Sequence, residues 1–128
     1  MRKCSDFTIL LAEDNPGIKD LYVKAFGKEG YKVLTCDNAA SIMAELNDGK
    51  VDLLVTDLEM PAANTLELFP FLKKEHPNLP VIIVTGHYVD LQQDFLARGY
   101  KIAAFFNKPT DLAVLKAKAR EILKIDAS

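Results

Sequence analysis

The stretch VDLLVTDLEMP, Val51 to Pro61, decides how this chain is read. Leu53, Leu54, Val55 and Thr56 make a short apolar run, the pattern of a strand buried on both faces. A carboxylate, Asp57, closes the run, and Glu59 and Pro61 follow it. A charge at the edge of a core is costly unless something pairs with it. The rest of the chain must therefore supply partners for Asp57.

Outward from DLLVT (Asp52–Thr56), similar runs recur on both sides. FTILLA (Phe7–Ala12), KVLTC (Lys32–Cys36) and PVIIVT (Pro80–Thr85) read as strands, and AAFF (Ala103–Phe106) as a weaker one. Helical spacings separate them. Ile18, Leu21, Tyr22 and Ala25 mark a first helix, ended by Gly27 or Gly30. Ile42, Met43 and Leu46 mark a second, before Asn47-Asp48-Gly49. Leu66, Leu68, Phe69 and Leu72 mark a third, in which Pro70 must sit in the first turn or kink the helix. Leu91, Phe95 and Leu96 mark a fourth, and Leu112, Leu115, Ala119 and Ile122 a clean stripe on the fifth. Strands alternating with helices predict an α/β fold: a (βα)5 doubly wound parallel sheet with helices on both faces, in a single domain over residues 1–128.

Bulk composition agrees. The chain has 128 residues, 49% apolar and 27% charged, enough for one real core. A net charge of −2 gives no basic footprint, so neither nucleic acid nor an anionic membrane is an expected partner. No stretch approaches the roughly 20 apolar residues of a membrane span. Cys4 and Cys36 lack metal-ligand spacing, and the apolar run near the N-terminus is too short for a secretory leader. Two reduced thiols in a cytoplasmic protein are expected.

In open parallel sheets the functional crevice lies beyond the carboxyl ends of the strands. Glu13 and Asp14 follow strand one, Asp57 follows strand three, Thr85 and Gly86 close strand four, and Lys108-Pro109 follow strand five. Taken singly, each has an ordinary explanation. An acidic pair before Asn15-Pro16 is more often a helix cap, Thr85 an ordinary strand end, Lys-Pro a loop dipeptide, Phe105 plain core and His87 a solvated residue. Jointly, they place three carboxylates, a hydroxyl and an amine in one crevice. Three neighbouring carboxylates do not all stay ionised unaided, and hard oxygen ligands suit Mg²⁺. Such a site is arranged for phosphoryl chemistry, with Asp57 as nucleophile and Lys108 and Thr85 stabilising the equatorial oxygens.

LLAEDNP (Leu10–Pro16), VTDLEMP (Val55–Pro61), VIIVTGH (Val81–His87) and FFNKP (Phe105–Pro109) together give the chain its resemblance to the response-regulator receiver domain over nearly its whole length. The resemblance implies a flavodoxin-like sheet in order 2-1-3-4-5. It implies that Asp57 is the phosphoacceptor, with Lys108 and Thr85 beside it. It implies Mg²⁺ bound by Asp14, the Asp57 carboxylate and the Glu59 backbone carbonyl, with Glu13 acting through water. Thr85 and Phe105 become the switch pair, and the Lys108–Pro109 bond is expected to be cis. Glu59 and His87, each two residues past a site residue, are expected to tune phosphate lifetime.

Two departures stand out. Asn64-Thr65 replaces the Asp-Gly common after the Met-Pro pair, and GYKIAAFF replaces a Gly-Ala before strand five. The recognition face of the last two helices and strand five is therefore expected to be unusual. The function implied is two-component signal transduction: phosphotransfer from a sensor histidine kinase, or a phosphotransfer protein, to Asp57. Beyond self-phosphotransfer and slow autodephosphorylation, no enzyme activity is expected. Output would pass to a downstream protein target, and a homodimer through the last two helices and strand five is a possible state. Ser128 follows directly on the final helix, so a stand-alone receiver and a trimmed one read alike. Two other readings compete. One is a degenerate receiver that binds partners without phosphorylation. The other is an enzyme or carrier on the same fold, but EDNPG is acidic where a flavin phosphate would sit, and Glu59 stands where an aspartyl phosphatase would want a second aspartate.

Overall fold

A computed structural model of the protein describes residues 2–58, 65–86 and 98–126. After a short 3-10 turn at Cys4–Asp6 the elements alternate: β1 (Thr8–Ala12), α1 (Pro16–Glu29), β2 (Lys32–Cys36), α2 (Ala39–Asp48), β3 (Leu53–Asp57), α3 (Thr65–Glu75), β4 (Val81–Thr85), β5 (Ala104–Asn107) and α4 (Leu112–Leu123). The five strands form one sheet in order β2-β1-β3-β4-β5, and every pairing is parallel. The expected topology is thus present. The helix expected around Leu91–Leu96 lies outside the described residues.

Side-chain alternation along the strands sends successive residues to opposite faces. Leu10, Ala12, Leu54 and Ile83 pack on one face with Ile42 and Leu46 of α2 and Leu68, Phe69 and Leu72 of α3. Ile9, Leu11, Val55, Ile82 and Val84 pack on the other with Tyr22 and Phe26 of α1 and Leu115, Ala119 and Leu123 of α4. β3 and β4 are buried along their whole length, which is why their sequences run apolar rather than alternating. Each large side chain fully buried here contributes about 1.5–3 kcal/mol.

Helix ends follow local chemistry. Asn15 caps α1, accepting the Ile18 N–H at 3.1 Å, with Pro16 in the first turn. Asn38 caps α2 and Asp111 caps α4 in the same way. α1 runs through Gly27 and stops at Gly30, whose φ of +108° is left-handed.

Two expectations are corrected and one alternative is decided. Leu21 does not join the buried stripe of α1; it is 52% exposed, because Tyr22 and Phe26 set the inward face. Of the two alternatives for Pro70, the interior of α3 is the one observed, since the helix already includes Thr65; Pro70 is exposed there. β3 is shifted by one residue: Asp52 lies before it, where its carboxylate accepts the Thr8 N–H at 2.8 Å, and Asp57 is its last residue. Cys4 and Cys36 are both free thiols and both buried. Among the described residues, no helix is long and apolar enough to cross a membrane.

Candidate functional site

The site forms because three strand ends present the same face. Continuing the alternation of β1, β3 and β5, Glu13, Asp57 and Lys108 share the face of Ile9, Leu53 and Phe106. The ladder extends past the strands to hold them there. Glu13 N–H donates to the Cys36 carbonyl at 3.0 Å, and Lys108 N–H donates to the Thr85 carbonyl at 3.2 Å. β4 separates β3 from β5, so only a long side chain joins Lys108 to Asp57. It does so: Lys108 Nζ lies 2.7 Å from Asp57 Oδ2 and 3.2 Å from Glu13 Oε1.

Asp14 completes the group. Carboxylate oxygens of Glu13, Asp14 and Asp57 all lie within 4.8 Å of one another. Glu13 and Asp57 are only 2% and 3% exposed, and Asp14 is half-buried. Burial pushes the Glu13 carboxyl up, and the neighbouring Asp57 charge pushes the same way; the Asn15 N–H and Lys108 oppose them. Burial also works against the charged form of Lys108, but its hydrogen bonds and charge attraction to Asp57 and Glu13 prevail, and its amine is held above the usual range. Among the described residues one amine, hydrogen-bonded to Asp57 and Glu13, stands beside a cluster of three carboxylates, so negative charge is in excess there. The donors are hard oxygens, a set that fits a divalent cation of the Mg²⁺ type.

Thr85 is fully buried at the end of β4 and pairs with Asn107, while Asp57 pairs with Val84. Gly86, exposed, follows it. Phe105 pairs with Ile83 and packs in the α2–α3 core, on the face that Thr85 also takes by alternation after Val81 and Ile83. The two are neighbours on one face of adjacent strands. The Lys108–Pro109 peptide is cis. Glu13, Asp14, Asp57 and Lys108 thus come together, Thr85 ends the neighbouring strand on the opposite face, and Glu59 and His87 lie outside the described residues.

One positioning residue escaped the sequence reading, in which the acidic pair rather than Asn15 was the candidate cap. Asn15 caps α1 and also donates its backbone N–H to Glu13 Oε2 at 3.1 Å. The order Glu-Asp-Asn-Pro carried that signal, because an N–H just before the helix is free to meet a nearby carboxylate. The link between Lys108 and Glu13 was equally unforeseen.

Comparison with known proteins agrees with this geometry. Residues 9–120 match the family model described as the response regulator receiver domain. The transcriptional regulatory protein GlrR of Escherichia coli (strain K12) is 35% identical over 103 residues, which are 80% of this chain and 23% of that protein. The chain therefore spans about a quarter of the length of that relative. Among solved structures, a CheY-like response regulator receiver domain protein from Methanospirillum hungatei JF-1 aligns with TM-score 0.82 and 26% identity, covering 92% of this chain and 94% of that one. The response regulator TrrA of Thermotoga maritima, solved in complex with Mg²⁺–BeF, aligns with TM-score 0.78 and 25% identity, covering 91% and 98%.

Proposed function

The chain belongs to the family of response regulator receiver domains, and from that premise we propose that Asp57 accepts a phosphoryl group from a phosphohistidine of a sensor kinase or phosphotransfer protein. The observation that carries this reading is the 2.7 Å contact between Lys108 Nζ and Asp57 Oδ2, inside a cluster of three carboxylates. An Asp57 oxygen attacks phosphorus, the P–N bond to the donor histidine breaks, and the imidazole nitrogen leaves with the electron pair. Lys108, already held charged, neutralises the phosphoryl oxygens as they crowd Asp57. Glu13 and Asp14, with the Asp57 carboxylate and the Glu59 backbone carbonyl, would hold Mg²⁺, which supplies further neutralisation of the transferring group when bound. That the TrrA relative was solved in complex with Mg²⁺–BeF supports a Mg²⁺-dependent reading.

Thr85 would donate its hydroxyl to the new phosphoryl group, and Phe105 would follow on the shared face of β4 and β5. The surface around β5 and α4 is then biased toward another state and read by a protein partner, with a second copy of the chain one candidate. Glu59 and His87 would tune the lifetime of the acyl phosphate; equal dephosphorylation rates in wild type, Glu59→Ala and His87→Ala would remove them from that role.

The test is intact mass after incubation with acetyl phosphate. A single phosphate adduct that requires Mg²⁺ and disappears in Asp57→Asn supports the receiver. No adduct under any condition leaves the phosphorylation-independent binding module. Sustained turnover of donor, far beyond slow self-hydrolysis, makes the chain an enzyme.

A further inference from the structure

We propose that the opposite end of the sheet carries a second ligand site, for a small aromatic carboxylate. A cavity of about 250 Å³ lies between the end of α3, the start of β4 and the segment leading into β5. Its floor is apolar: Phe69, Leu72 and Val81 are each no more than 5% exposed. Tyr100 forms one wall, its ring 5.7 Å from that of Phe69 and tilted by 33°. The two rings pack on one another and give the cavity an aromatic wall against which a planar guest can lie.

Among the described residues the charges around this floor are of one sign: Lys73 and Lys101 line the cavity, and no described acid does. Lys73 is brought in by design of the backbone. Gly99 has a φ of +77°, and a Cβ there would sit 3.0 Å from Lys73 Nζ, which donates to the Arg98 carbonyl at 3.3 Å. A glycine at this position thus serves both the turn and the approach of the amine. Asp52 and Glu75 line an adjoining cavity that shares His76.

His76 supplies the second, independent observation. It lines both cavities, and its Nε2 is buried with no hydrogen-bond partner among the described residues. Its ring lies 5.4 Å from Phe71, centroid to centroid. A buried polar nitrogen without a partner is uncommon, and a turn of the ring toward a guest's acceptor would satisfy it. An apolar aromatic floor beside two amines, with an unmatched imidazole nitrogen next to it, selects a ring bearing an acid. The volume is below the range of about 300–1,000 Å³ typical of drug-sized sites, which limits the guest to one ring system with a short arm. The floor residues belong to the same apolar cluster as Phe105, so a guest would touch the core from which that side chain moves.

The test titrates ¹⁵N-labelled protein with indole-3-acetate, and in parallel with uncharged indole-3-acetamide. The proposal expects saturable shifts at Leu72, Val81, Tyr100 and Lys101 and in the His76 ring, with the amide about fivefold weaker, as for a partly exposed charge pair. Lys73→Gln/Lys101→Gln should weaken the acid about fivefold and leave the amide unchanged, with the free spectrum still that of a folded protein. No saturable shift up to about 10 mM, equal binding of acid and amide, or shifts confined to the Asp57 end would each overturn it.

Discussion

The two edges of one sheet treat charge in opposite ways. At the carboxyl-terminal edge, Glu13 and Asp57 are 2% and 3% exposed and Lys108 crosses the end of β4 to reach both. At the amino-terminal edge, the same β4 begins at Val81, on an apolar floor, with Lys73 and Lys101 at the margin. Burying like charges together is unfavourable unless a cation compensates; burying Leu72 and Phe69 is favourable unconditionally. The difference separates work from support. One edge keeps its groups poised by holding them where they conflict, and the other supplies stability that makes the conflict tolerable.

If that division is right, mutations at the two edges should fail in different ways. Lys108→Met should show the largest effect, slowing phosphorylation from acetyl phosphate by about 10²–10³, the usual consequence of removing one preorganised stabilising group; intact-mass time courses measure it. Leu72→Ala should do the converse. It should lower stability by about 2–5 kcal/mol in urea unfolding while the phosphorylation rate of the folded protein stays within about twofold. Similar rate losses in both variants would break the comparison.

Smaller effects sharpen it. At ten times its dissociation constant, Mg²⁺ should stabilise wild type by about 1.4 kcal/mol, and Asp14→Ala should lose most of that gain in thermal unfolding. Glu13 gives the subtlest sign. Its folded carboxyl is pushed above the ordinary value by burial first and by Asp57 second, so the folded state binds its proton more tightly than the unfolded state does. Its favourable contribution is present below the unfolded glutamate pKa and is lost as pH rises through the raised folded one. In Mg²⁺-free buffer, Glu13→Gln should therefore gain stability relative to wild type between pH 4 and 7, as judged by urea midpoints. The opposite trend would mean that Lys108 fully compensates the carboxylate.

How much of this was readable in the sequence follows the same divide. The working edge was legible because its residues are out of place: a carboxylate closing LLVT and a lysine before proline after AFFN are discordant with the strands they end. The sheet was legible because strands buried on both faces leave unbroken apolar runs. Leu21 was misread because a helix of mixed polarity offers several three- and four-residue stripes, and only packing of Tyr22 and Phe26 chooses among them. Asn15 and the Lys108–Glu13 contact were missed because one is a backbone donor and the other a contact across 95 residues of sequence. The amino-terminal cavity was invisible for a plainer reason. Its residues are ordinary core and surface types, and a cavity is a property of how they fail to fill space.

The most direct measurement is the position of the phosphoryl group. Borohydride reduction of the acetyl-phosphate-treated protein converts an acyl phosphate of aspartate to homoserine, which peptide mass spectrometry locates. Homoserine at position 57, formed only with Mg²⁺ and far more slowly in Lys108→Met, is the predicted result. Reduction at another acid, or none in a protein that still takes up phosphate, would contradict the account.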